Sequence, residues 1–528
     1  MDPDRTGDMN GGLYVAHAMP RLLGQLTALT ELTVDGNRTH RVKPPRGAAR
    51  RLRNATRLHV ICRIRYVPES LGNLVCLTSL VLGSCFEVRR LPESLGLLTA
   101  LTSLVIGQCH ALTALPESLG QLVKLTVLTV RAGGQIARLP DSLGQLAALE
   151  ALELTCCHTL TALPESLGGL VGLTLLKLQH CTVISALPDS VGELVSLRTL
   201  TIRDCGVTNL PESLCQLALL DSLDLRGCNA VTALPTSLGQ LTELRTLNIQ
   251  MDAGPAGLLE QVGQLANLTS LHIGGCATLT ALPEWITRMA FLTMLFIRDY
   301  DSLQELPGDL GKLTTLTTLS VRGCDLLSTV PASLGQLAAL TELAFGQCQG
   351  LTVLPESLGQ LTALTVLDLN DCHALTMLPE SLGNLAALRT LELGECYSLS
   401  ELPRSVCRLA ALRELYLNGC VALTALSESL GQLAALETVT IDHCAALERL
   451  PFAFITMPDS AFEDVRGLQA MEFPPLDVLS RGALAVKRFL LEHHHPLKML
   501  LLILAARKRR MRHPPAELWV LIRDEFFW

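Results

Sequence analysis

The chain has 528 residues, a formal net charge of −8, 49% hydrophobic residues and only 4% aromatic ones. This balance excludes a disordered chain and a strongly basic nucleic-acid binder. With so few rings, aliphatic side chains must fill the core.

From the N-terminus, residues 1–19 carry acids and glycine without an apolar run, so no secretory signal is expected. Residues 20–67 read as degenerate repeats that cap the chain. They begin at Pro20, are rich in arginine (Arg46, Arg50, Arg51, Arg53, Arg57, Arg63, Arg65), and offer Leu58 and Val60 as a strand. Without interleaved aromatics, and at this net charge, those arginines read as a solvated cap insertion, with nucleic acid disfavoured as a partner. Asn37-Arg38-Thr39, Asn54-Ala55-Thr56 and Asn267-Leu268-Thr269 match the glycosylation pattern and, without a signal, read as chance.

A regular period occupies residues 68–457. Its head recurs at 68, 92, 116, 140, 164, 188, 211, 235, 259, 283, 307, 331, 355, 379, 403, 427 and 451, every step being 24 residues except 188 to 211, which is 23. All are proline except Leu259 and Ser427. A period this strict marks a solenoid. Counted from Pro92, the apolar positions are Leu95, Leu98, Leu101, Leu104, Ile106, Leu112 and Leu115, with Cys109 between. The alternation around Leu104 and Ile106 predicts a short strand. Pro-Glu-Ser-Leu-Gly predicts a single helical or 3-10 turn, since proline suits a first turn and glycine an end.

Leu101-x-x-Leu104-x-Ile106-x-x-Cys109 is the pattern of leucine-rich repeats. The Leu-Pro-Glu-Ser-Leu-Gly-Gln-Leu half resembles the repeats of plant disease-resistance receptors and of intracellular Ras-pathway scaffolds. No phosphate-binding loop is present: Gly308-Asp309-Leu310-Gly311-Lys312 has the wrong spacing. The nucleotide-binding domain of such receptors is therefore not expected. The resemblance implies an α/β horseshoe solenoid, with a parallel concave sheet and short convex turns, that serves as an intracellular signalling or defence-type recognition scaffold.

Thirteen cysteines share the position seventeen residues after the repeat head: 85, 109, 157, 181, 205, 228, 276, 324, 348, 372, 396, 420 and 444. A small polar group there can bond buried backbone where the strand ends. Cys85, Cys109, Cys157, Cys181, Cys205, Cys228, Cys276, Cys324, Cys348, Cys372, Cys396, Cys420 and Cys444 therefore read as a structural ladder of reduced thiols. Parallel stacked side chains do not suit disulfide geometry, and no paired metal spacing accompanies them. Gly133, Asp252 and Tyr300 interrupt the ladder. The acids after proline, such as Glu93, Glu117, Asp141, Glu165 and Asp189, read as partners for turn amides. With no catalytic constellation and no cofactor motif, neither an enzyme nor a small-molecule substrate is expected.

The variable positions lie between the buried strand residues and face outward. One column holds Asp224, Asn248, His272, Phe296, Asp368, Glu392 and Tyr416; the next holds Arg203, Arg226, Gln250, Arg298 and Arg322. They suggest a protein-binding face with a basic and aromatic centre, and an acidic flank in which Asp371 and Glu395 join Asp368 and Glu392.

Residues 458–528 change in composition and read as a helical cap and basic tail. Leu497–Ala506 is too short to span a bilayer and is followed by Arg507-Lys508-Arg509-Arg510-Met511-Arg512. A cytoplasmic location is expected, with nuclear import or contact with a membrane surface as lesser alternatives. His493-His494-His495 cannot share one helical face, so no metal site is expected there. Pro515-Ala516-Glu517-Leu518-Trp519-Val520-Leu521-Ile522 resembles the opening of an F-box, and this raises the alternative of a ubiquitin-ligase substrate receptor.

Overall fold

A computed structural model describes residues 31–35, 56–61, 65–251, 259–276 and 278–448. The N-terminal segment, Asp252 and the tail with its basic run and F-box-like stretch lie outside the described residues. The chain divides into two compact units, Met1–Leu279 with Pro283–Tyr300, and Thr280–Leu282 with Asp301–Trp528.

Among the described residues of the first unit, twelve strands run from Glu31–Asp35 to Met294–Arg298, and each pairs in parallel with the next. Register follows the repeat. Leu104 faces Leu80 on one side and Leu128 on the other. The expected degenerate strand is present as Arg57–Ile61, with Leu58 and Val60 buried. The short step leaves the register intact, because Leu200 still faces Leu223. Its missing residue falls after the strand: Cys205-Gly206-Val207 stands where the preceding repeat has Cys181-Thr182-Val183-Ile184.

Three-residue spacing of the remaining leucines decides the turn type. Leu119, Leu122 and Leu125 bury every third side chain, which matches a 3-10 helix, whose side chains eclipse at i and i+3. Accordingly Glu117–Gln121 is 3-10, and Leu119, Leu122 and Leu125 each donate to the carbonyl three residues back, at 3.0, 3.0 and 2.8 Å. Pro116 enters with extended backbone, which fits its fixed φ. Gly120 is required by packing, since a side chain there would start 2.6 Å from the Ser142 carbonyl of the next turn.

The turn acids act between repeats. Glu69, Glu93 and Glu117 accept the backbone N–H of Ser94, Ser118 and Ser142 at 3.1, 3.1 and 3.2 Å. Each carboxylate therefore ties one turn to the next. A threonine column does the same at the strand starts, where Thr102 and Thr126 donate to the carbonyls of Thr78 and Thr102.

Among the described residues of the second unit, six strands from Thr318–Arg322 to Thr438–Thr440 pair in parallel, each with the next. The last five contain three residues each, whereas Thr318–Arg322 contains five. In these shorter repeats the ladder cysteine closes the strand: the N–H groups of Cys372, Cys396 and Cys420 donate to Leu369, Leu393 and Leu417.

The ladder thiols are buried in both units. Cys228 Sγ donates to the Ile202 carbonyl at 3.1 Å, and Cys372 Sγ to that of Phe345 at 3.0 Å. In both cases the acceptor belongs to the preceding repeat, so these two thiols satisfy backbone that the strand end leaves open. Burial pushes the Cys228 thiol up to about 11, and those of Cys396 and Cys444 up to about 12. Where the ladder breaks, Tyr300 fills the space and is itself 1% exposed.

Candidate functional site

The outward columns of the first unit are organised around Asp224. In-register pairing sets Asp224, Asn248, His272 and Phe296 side by side on four consecutive strands. Asp224 is only 3% exposed although it faces away from the core. It accepts from Arg203 Nε at 2.8 Å and from Arg203 Nη2. It also accepts from Arg226 Nε at 3.1 Å, Arg226 Nη2 at 2.8 Å, the Arg226 N–H at 3.2 Å and Asn248 Nδ2 at 3.3 Å. Burial by itself would raise this carboxyl, but the hydrogen bonds from Arg226 and Arg203 outweigh it and hold Asp224 at about 2.

His272 and Phe296 stack, with ring centroids 4.0 Å apart and planes inclined by 19°. Burial, together with the nearby charges of Arg226 and Arg298, holds His272 down to about 4, so the imidazole is neutral at neutral pH. Gln250 Nε2 reaches over Gly274 to Asp299 Oδ2 at 2.8 Å. Arg298 is exposed, and among the described residues it forms no ion pair.

The second unit carries a different arrangement. Arg322 reaches Asp368, 46 residues away, and the pair closes over Gly346. A Cβ at Gly346 would sit 3.6 Å from Asp368 Oδ2 and 3.7 Å from Arg322 Nε, so a longer side chain would occupy the path of the guanidinium. Asp368 Oδ1 also takes the Asn370 N–H at 3.0 Å. Asn370 in turn donates to Glu392, and its Oδ1 accepts from the Gly394 N–H at 2.7 Å. A groove of about 330 Å³ follows, with walls that include Asp371, Glu392, Glu395, Glu414 and Tyr416. Burial, then the charge of Asp368, raises the Glu392 carboxyl above its ordinary value.

Within the first unit, then, Arg203, Arg226, Asn248, Gln250, His272, Phe296 and Arg298 occupy one sheet face. Arg322, Asp368, Glu392 and Tyr416 occupy that of the second. The arginines are not a row of free cations, since three of them are held by buried carboxylates. The organising role of Asp224 escaped the sequence reading. Its signal is an acid between two strand leucines, Leu223-Asp224-Leu225, with Arg203 and Arg226 in the adjoining column.

A family model described as a leucine-rich repeat region matches residues 162–278 and 258–373. Residues 162–373 therefore carry leucine-rich repeats. A leucine-rich repeat protein of Leptospira interrogans is similar to it over 71% of this chain and 93% of its own, at 28% identity and a TM-score of 0.60. TLR13, solved in complex with ssRNA13, is similar over 87% of this chain and 68% of its own, at 19% identity and a TM-score of 0.58; this is a likeness of fold alone. No curated protein matches the chain. Leucine-rich repeat folds are typical of protein-interaction scaffolds and receptors and are generally non-enzymatic. Among the described residues no helix is long and apolar enough to cross a membrane.

Proposed function

We propose that this leucine-rich repeat protein is a non-enzymatic recognition scaffold that binds protein partners through the outward sheet faces of its repeats, in intracellular signalling or defence-type recognition. The observation that carries this reading is the contrast between repetition and variation. The turns and the core repeat almost unchanged, whereas the outward columns hold charged, amide and aromatic residues whose contacts differ from strand to strand. Arginine and aromatic side chains on a rigid sheet are the usual anchors of interfaces. A backbone already fixed in a paired sheet needs little further ordering on association, which favours binding.

The test is an unbiased pull-down with the full chain and three variants. Arg298→Glu alters the first unit, Glu395→Lys alters the second, and Lys124→Glu, exposed on a turn, serves as the control. Partners lost in either sheet-face variant and retained in the control are the expected result. A partner set that is identical in all four proteins refutes the reading.

A further inference from the structure

We infer that the His272–Phe296 stack and Arg298 form a subsite for an acidic peptide segment, in which a carboxylate side chain meets Arg298 and a neighbouring apolar side chain lies on the stacked rings. This rests on the sheet-face reading above and narrows it to one ligand chemistry.

Three observations converge on this patch. First, the two rings form a preassembled, half-buried platform of low polarity, with centroids 4.0 Å apart, on rigid paired strands. Flat apolar area fixed in this way loses little rotamer entropy on binding. Second, the cations around it are unequally committed. Arg203 and Arg226 are locked onto Asp224, whereas Arg298, two residues beyond Phe296 on the same strand face, has no ion pair among the described residues. Third, the nearby carboxylates do not pair with Arg298: Asp224 is buried under two guanidiniums and Asp299 takes the Gln250 amide.

Charge complementarity therefore favours an incoming carboxylate. Arg298 offers a planar fork of donors suited to bidentate pairing with it. With His272 neutral, the platform adds no cation of its own, so an apolar side chain can cover it without burying a charge.

The experiment uses the full chain and fluorescence anisotropy with labelled synthetic peptides. One peptide alternates aspartate with leucine and phenylalanine, a second has asparagine for every aspartate, and a third has lysine. A single-stranded oligouridylate is the fourth ligand. We expect the aspartate peptide to bind, the asparagine and lysine peptides to bind at least about tenfold more weakly, and affinity to fall with salt. Arg298→Gln should lose the preference for aspartate over asparagine while keeping residual binding of both. Phe296→Ser should weaken both peptides alike. Both positions are solvent-facing, and thermal melting of each variant confirms folding.

Equal affinity for the aspartate and asparagine peptides overturns the inference, as does an Arg298→Gln variant with unchanged preference. Tighter binding of the oligouridylate also overturns it. In each of these cases the pull-down still decides the broader reading, because sheet-face partners can be lost in Glu395→Lys whatever the first unit binds.

Discussion

Asp224 in the first unit and Asp368 in the second occupy the same place in the repeat, between two strand leucines and thirteen residues after Pro211 and Pro355. Both are buried on the outward side, and both take the N–H of the residue two positions on. Their surroundings differ on both sides: Arg203 of the preceding strand reaches Asp224, whereas Gly346 stands in that place beside Asp368 and Arg322 reaches it from one repeat further back. Where Asp224 is followed by Arg226 and faced by Asn248, Asp368 is followed by Asn370 and faced by Glu392. One substitution removes a guanidinium and the other adds a carboxylate. The same scaffold position thus becomes a doubly compensated hub in one unit and, in the other, a singly paired acid beside an acidic groove. The repeat fixes where a side chain stands; the identity of its neighbours fixes what charge the face presents.

The largest expected effect that tests this comparison comes from removing the two acids. Asp224→Ala leaves two partly buried guanidiniums and an amide without their acceptor and should cost about 3 kcal/mol. Asp368→Ala releases one guanidinium but relieves the repulsion on Glu392, and should cost about 1 kcal/mol. Urea unfolding of both variants measures the difference, and equal losses would erase the distinction drawn between the hubs.

Next in size is the pH response of the first unit. The folded-state value of His272 lies near 4, below its ordinary 6.5. The unfolded chain therefore binds the proton first, and stability falls as pH drops from 6.5 toward 4. His272→Gln should flatten that part of the profile. Asp224, held at about 2 from an ordinary 3.8, loses its contribution only at still lower pH, so the two groups separate.

A smaller effect, of opposite sign, is expected in the second unit. Because the Glu392 carboxyl is raised, its ionised form costs stability at neutral pH and protonation restores it. Glu392→Gln should stabilise at pH 7 by roughly 0.5 kcal/mol, with the gain vanishing as pH falls through the carboxyl range. Thermal melting at two pH values reads this directly.

The smallest contrast should lie in the ladder, which both units share. Cys181→Ala and Cys372→Ala each remove one buried thiol bonded to backbone of the preceding repeat. Their costs should agree within about 0.5 kcal/mol. In the folded protein, iodoacetamide should label Cys76, which is exposed, ahead of any ladder thiol.

Much of this architecture was legible before any coordinates. Leu104 and Ile106 alternate, so they mark a strand; Pro116 and Gly120 mark a single turn, helical or 3-10, which the structure resolves as 3-10. Cys109 follows at a constant offset, so it marks the strand end. Each inference needs only a local period, and stacking repeats it. The columns that contain Arg203, His272 and Glu392 were readable for the same reason. Their partners were less so. Arg322 could be placed in its column, but not its reach over Gly346 to Asp368, because that depends on the spacing of strands and the length of a side chain that crosses a whole repeat.

The sequence by itself determined the repeat, its register, the composition of the core and the list of residues that face outward, because a strict period converts position in the chain into position in the fold. Only the tertiary structure decided which of those outward residues are spent on one another. It showed Asp224 and Asp368 buried beneath guanidiniums, the turn acids bound to the amides of the following repeat, and Arg298 without an ion pair among the described residues. The physical reason is that burial and ion pairing are properties of neighbours in space. Two residues alike in sequence, such as Arg226 and Arg298, acquire different roles once adjacent strands set what lies beside them.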